Sequence, residues 1–340
     1  MKRNLRLIFA VVIMILLIWD TDTAAQGAVK GIALCTDVII PSLFPFFVVS
    51  AYLHALLIGH SASVLRPLVR MLNIPDGGDS FLLFGLIGGY PVGAQLVAQA
   101  GKNNQISCRT AKILLGYCSN AGPAFIFGVA GSLFSSKFLP VMLWIIHMTA
   151  VLLTGFLLPK PEPERIDWNC MENPSIVYAL RKSISICTIT CGWIIVFKII
   201  LAYLDAWLPL TPSSNVLILI SGILELSNGC TQLSKIHSES MRFILCSAFL
   251  SFGGICVLLQ TASVTDGIGL GFYLSGKLMQ AAFSTMMAIL SSYILFPHDP
   301  LPLISSVIWL LLCMLILLLV RMRCKKDMEI PQKIMYNHIS

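Results

Sequence analysis

Two apolar runs of this chain are interrupted by glycine and polar residues at the depth where a membrane helix is normally most regular. Residues 81–100 hold Gly85, Gly88, Gly89, Tyr90, Pro91, Gly93 and Gln95, and residues 216–233 hold Gly222, Glu225, Ser227, Asn228, Gly229 and Gln232. Hydrocarbon supplies no hydrogen-bond partner, so backbone freed by such breaks must lie against protein or line a wet cavity. Neither run reads as an ordinary span.

That the surroundings are lipid follows from composition. Of 340 residues 57% are hydrophobic and only 11% charged, about half the charged fraction that covers a soluble domain. Lys and Arg cluster between apolar runs, so the net charge of +7 reports topology, and no nucleic-acid partner is expected. Most of the eleven cysteines lie inside apolar runs and read as small packing residues. Cys187 and Cys191 are one helical turn apart, but no His or carboxylate joins them, so neither metal nor cofactor is expected.

Besides the two broken runs, candidate spans are 7–19, 38–59, 111–133, 139–158, 184–208, 243–262, 267–296 and 303–320. The first is short and reads as an uncleaved span, with Thr23-Ala24-Ala25 offering a competing signal-peptidase site. If all ten runs crossed, Lys and Arg would divide 11 inside against 10 outside. With both Gly-rich runs re-entrant, only Lys30, Lys137, Lys235 and Arg242 stay outside, Lys198 and Lys277 are intramembrane, and 17 fall inside. Cytoplasmic loops collect positive charge, so eight crossings and two re-entrant hairpins are expected.

The chain also repeats itself. An offset of 151 lays Ala28, Lys30 and Phe46 on Ala179, Arg181 and Phe197; 137 lays Gly85 and Gln95 on Gly222 and Gln232; 131 lays Gly122 on Gly253. The expected organisation is an N-terminal membrane segment (1–27), a first repeat (28–159), a cytoplasmic linker (160–178), a second repeat (179–300), and a final span with a basic cytoplasmic tail (301–340). Three crossings and one hairpin separate equivalent points, which inverts the second unit, the arrangement of many secondary transporters. The fold expected is an all-α polytopic membrane protein.

Breaks also mark the candidate site. Gly88, Gly89, Tyr90, Pro91, Gly93 and Gln95 form the first break; Glu225, Ser227, Asn228, Gly229 and Gln232 form the second. Ser119, Asn120 and Gly122 in the following span, and Ser251 and Gly253 in its counterpart, complete four corresponding interruptions. Free N–H groups at half-helix starts favour anions, and unwound carbonyls favour cations. Glu225 is the intramembrane carboxylate, a group that costs enough to suggest function; Lys198 and Lys277 are its cationic counterparts and could anchor a carboxylate. Close helix packing is the competing account of each glycine. His54, His60, His147, His237 and His298 are scattered, and no HExxH or triad spacing appears, so no enzyme activity is expected.

GLIGGYPVGAQLVAQ at 85–99, LLGYCSNAGPAFIFGVAG at 114–131, PSLFPF at 41–46 and ELSNG at 225–229 resemble the YlbJ-type sporulation integral membrane proteins, a branch of the nucleoside-recognition or Gate domain group. The resemblance implies a fold similar to concentrative nucleoside transporters, with opposed hairpins meeting near the membrane centre. It implies location in the cell membrane of a spore former, at the outer forespore membrane, and a sporulation role in moving dipicolinic acid by alternating access. The partners implied are the lipid bilayer, a small anionic solute and a coupling ion, with a homo-oligomer left open. Two alternatives stand beside it: a cation-coupled nucleoside carrier, and a non-transporting membrane component of a sporulation complex.

Overall fold

The computed structural model describes residues 2–57, 65–166, 175–208 and 215–336. The centre of the expected linker (167–174), the end of the 38–59 span and the last four tail residues lie outside the described residues. In chain order the helices are α1 (Lys2–Trp19), α2 (Thr21–Leu34), α3 (Ile40–Leu57), α4 (Arg66–Met71), α5 (Asp79–Ile87), α6 (Val92–Lys102), α7 (Cys108–Leu115) and α8 (Pro123–Gly128). They continue with α9 (Phe138–Leu157), α10 (Ile176–Trp207), α11 (Asn215–Leu224), α12 (Leu226–Gln232), α13 (Glu239–Phe252), α14 (Gly254–Thr265), α15 (Gly271–Leu295) and α16 (Leu303–Tyr336). Among the described residues the only extended pairing is one isolated bridge between Asp76 and Arg165.

Six helical stretches among them are long and apolar enough to cross a membrane: Thr21–Leu57, Phe138–Leu157, Ile176–Trp207, Glu239–Thr265, Gly271–Leu295 and Leu303–Lys325. The outer helices match that setting, since Ile304 is 77% exposed and Leu311 64% on a face that water would not tolerate. Two of the eight expected crossings are not among the six. The N-terminal helix α1 carries an apolar stretch at Ala10–Trp19, and 111–133 is cut by the unwound stretch between α7 and α8. Residue 28 lies inside a stretch running unbroken from Thr21 to Leu57, joined by a π-helical turn at Cys35–Ile39, and residue 179 lies inside α10.

Both interrupted runs fold as helical hairpins. A Cβ placed on Gly93 of α6 would lie 2.8 Å from the Cα of Gly85 in α5, and one on Gly229 of α12 would lie 2.3 Å from the Cα of Gly222 in α11. Missing side chains let the two arms touch backbone to backbone.

α9, 20 residues or about 30 Å long, separates the two ends of the molecule. At one end the linker is docked: Glu164 accepts from the Ser107 N–H and the Thr110 hydroxyl, Arg109 pairs with Glu162, and Ile166 N–H donates to the Asp76 carbonyl. Lys102, closing α6, pairs with Asp266 at the same end, as Lys182 does with Gln99. Residues 160–166 are therefore fastened to the first half and do not run as a free tether. At the other end Arg242 donates to the Leu133 carbonyl, and Asp299 accepts from the Ser238 hydroxyl and the Ser240 N–H.

The Ser240 N–H is the main reason the Asp299 carboxyl is held below its ordinary value of 3.8. A depressed carboxylate contributes stability above its unfolded value and loses it as pH falls through the folded one. Asp299→Ala is expected to lower Tm at about pH 6, and the gap to the unaltered protein should close toward about pH 3, as followed by thermal unfolding in detergent.

Candidate functional site

The hairpin tips and the two interrupted spans meet in the middle of the molecule. α13 and α14 are joined by Gly253 and Gly254, with φ of +81° and +82°. Two successive left-handed residues turn the helix axis without a Cβ penalty. The turn lays Gly254 against the carbonyls of Gly222, Ile223 and Leu224 at the second hairpin's tip, and Gly253 against the Tyr90 ring. On the first hairpin Gly89, at φ +77°, packs on Gly122, the start of α8. Each tip is thus seated on the break of the span that follows it.

Asn120 holds the first seat together. It is fully buried, donates from Nδ2 to the Gly85 carbonyl at 3.1 Å and the Tyr117 carbonyl at 2.8 Å, and accepts from Lys277 at Oδ1. Lys277, on α15 and 1% exposed, also donates to the Ser119 carbonyl, to Gln280 Oε1 at 2.6 Å and to the Tyr90 hydroxyl at 3.3 Å. The Tyr90 hydroxyl donates a hydrogen bond to the Leu250 carbonyl, and Ser251 bonds His147 Nδ1 at 2.9 Å, which in turn meets Gln280, so the second break joins the same network.

Glu225 shapes the second tip. It precedes α12, and its carboxylate accepts from the Ser227 N–H at 2.8 Å and the Asn228 N–H at 2.6 Å. An acidic N-cap satisfies orphan donors and faces the positive end of the helix. Lys198 on α10 bonds Asn228 Oδ1.

Between the tips lies a cavity of about 40 Å³, lined by Gly89, Tyr90, Gly122, Glu225, Ser227 and Gln260 together with apolar residues of α3 and α8. At about 10–15 Å³ each, that is room for roughly three waters.

Sequence comparison can now be set beside this geometry. The chain is 25% identical over 328 residues to the sporulation integral membrane protein YlbJ of Bacillus subtilis, covering 81% of this chain and 79% of that protein. The chain is thus similar to a sporulation membrane protein over most of its length. No family model matches it, and no solved structure matches it.

The candidate residues separate into groups. Gly89, Tyr90, Gly122, Glu225 and Ser227 line the cavity; Ser119, Asn120, Asn228, Ser251, Lys198 and Lys277 form the polar network around it. Gly93, Gly229 and Gly253 sit in close packing contacts, and Gly88 and Pro91 shape the first turn. Gln95 and Gln232 stand on the second arms, away from the cavity lining, each with a buried Oε1 that no hydrogen bond satisfies. Gln280, Gln260 and His147 were not foreseen. The three-residue spacing of Lys277 and Gln280 on one helix face was the available signal for the first; only tertiary packing brings in the other two.

Proposed function

We propose that this YlbJ-like protein is a transporter that moves a small anionic solute across a membrane of the sporulating cell by alternating access between its two hairpin tips. The carrying observation is that both tips and both interrupted spans meet around one cavity, with the Lys277 network and the Glu225–Asn228–Lys198 bonds beside it. Charge favours an anion: two ammonium groups, Lys198 and Lys277, and one carboxylate, Glu225, stand at the convergence. Dipicolinate, the flat dianion that the YlbJ-type resemblance implies, is the proposed solute, and the outer forespore membrane the proposed place.

An inverted pair of repeats is part of the same proposal. Gly27 of α2 meets Ile199 of α10, Gly31 meets Ile195, and Cys35 meets the Cys191 carbonyl. The two long helices therefore run antiparallel with one constant register. Antiparallel packing of these two helices is compatible with a two-fold axis in the membrane plane relating residues 151 apart. The hairpins fit it too: Gly85 and Gly93 press on the Cys118 carbonyl, Gly222 and Gly229 on the Phe249 ring, and Cys118 and Phe249 are again 131 residues apart.

Uptake by vesicles containing only this chain tests the proposal. Saturable dipicolinate uptake, unaffected by excess nucleoside, is expected. Nucleoside flux would favour a nucleoside carrier, and no flux of either with insertion confirmed would favour a non-transporting component of a sporulation complex.

A further inference from the structure

Lys277 has an unusual set of neighbours for a buried cation. Its Nζ is shared by four oxygens, the Ser119 carbonyl, Asn120 Oδ1, Gln280 Oε1 and the Tyr90 hydroxyl, and it lies 5.1 Å and 5.8 Å from the centres of the Tyr90 and Tyr273 rings. None of those oxygens belongs to a carboxylate. The ion pairs Lys102–Asp266 and Arg109–Glu162 lie elsewhere. An ammonium has three protons, so four oxygens amount to a coordination shell.

A shell of neutral oxygens, contributed by an unwound carbonyl, two side-chain amides and a hydroxyl, is what discontinuous membrane helices offer to a monovalent cation. Its four distances are 2.5, 2.6, 3.0 and 3.3 Å, and the two longest exceed the roughly 2.0–2.6 Å that Mg²⁺ and Ca²⁺ need. K⁺ is close to ammonium in size. The cage also joins three separate elements: the first hairpin's tip through Tyr90, the break after it through Ser119 and Asn120, and α15 through Gln280.

We propose that Lys277 is a tethered cation filling a monovalent-cation cage at the first interrupted span. The chain thereby carries internally the positive charge that such a site otherwise takes from solution. The tip is locked to the break by a cation that cannot leave, so neither Na⁺ nor K⁺ is needed to form the site. The cage rests on these contacts alone and stands whether or not the protein transports dipicolinate.

Thermal unfolding of the purified full-length protein in detergent, in chlorides of choline, Na⁺, K⁺ and methylammonium at equal ionic strength, is the test. The unaltered protein should have the same Tm in all four. Lys277→Ala should have a lower Tm in choline and recover by at least about 3 °C in K⁺ or methylammonium. Recovery no larger than any shift of the unaltered protein overturns the proposal. If Lys277→Ala does not fold in any salt, the unaltered protein decides: equal Tm supports a filled cage, and a specific rise in Na⁺ or K⁺ overturns it.

Discussion

Gly93→Ala is expected to abolish folding of the first hairpin. A methyl carbon there would stand 1.8 Å from the Cys118 carbonyl oxygen and 2.8 Å from the Cα of Gly85. Both neighbours are backbone, so no rotamer change relieves the overlap. The arm would have to move by more than an ångström, dragging Tyr90 away from Lys277 and the second break. Overpacking that repacking relieves costs about 1–3 kcal/mol, and this case lies above that range. Gly192→Ala is the contrast, because nothing lies within 4 Å of its added carbon and alanine favours a helix interior by up to about 1 kcal/mol. Yield of monodisperse protein and Tm in detergent read both: loss for Gly93→Ala, no loss for Gly192→Ala. Normal folding of Gly93→Ala would show that the arms are not in backbone contact.

Asn120→Ala is expected to be the most damaging single change in the polar network. It strips hydrogen bonds from the Gly85 and Tyr117 carbonyls and from the Lys277 ammonium at once, all of them buried. Each orphaned group costs about 1–3 kcal/mol, and a group on a charge more, so a loss of about 3 kcal/mol or more is expected unless water enters. Asn120→Asp separates the contributions. It keeps an acceptor for Lys277 and adds a counter-charge, but it cannot donate to Gly85 and Tyr117 when ionised. Denaturant unfolding in detergent should place Asn120→Asp between the unaltered protein and Asn120→Ala. Equal stability of all three would mean that Asn120 does not hold the hairpin to the break.

Much of this architecture was readable from the chain. Membrane residence follows from counting charges, because hydrocarbon excludes them wherever they fall in a fold. The positions of the breaks were equally plain, since clustered glycines such as Gly88-Gly89 and Gly253-Gly254 deny a straight helix by rules that act over a few residues. What each break was for could not be read locally. Gly93 and Gly229 are packing surfaces while Gly89 and Gly122 line a cavity, and nothing within a few residues of each distinguishes them. The 111–133 run had the hydropathy of a span, yet hydropathy averages over the unwound stretch that lets Ser119 and Asn120 turn inward.

The sequence by itself determined that the chain lives in a membrane, that it is interrupted at four places, and that Lys277 and Glu225 carry charge into its interior. Only the tertiary structure decided their partners: Glu225 caps a half-helix, and Lys277 is held by oxygens from residues 90, 119, 120 and 280. Composition and periodicity are properties of short stretches, whereas a buried charge is satisfied by whichever groups the packed helices bring within 3 Å or so, and those lie up to 187 residues away.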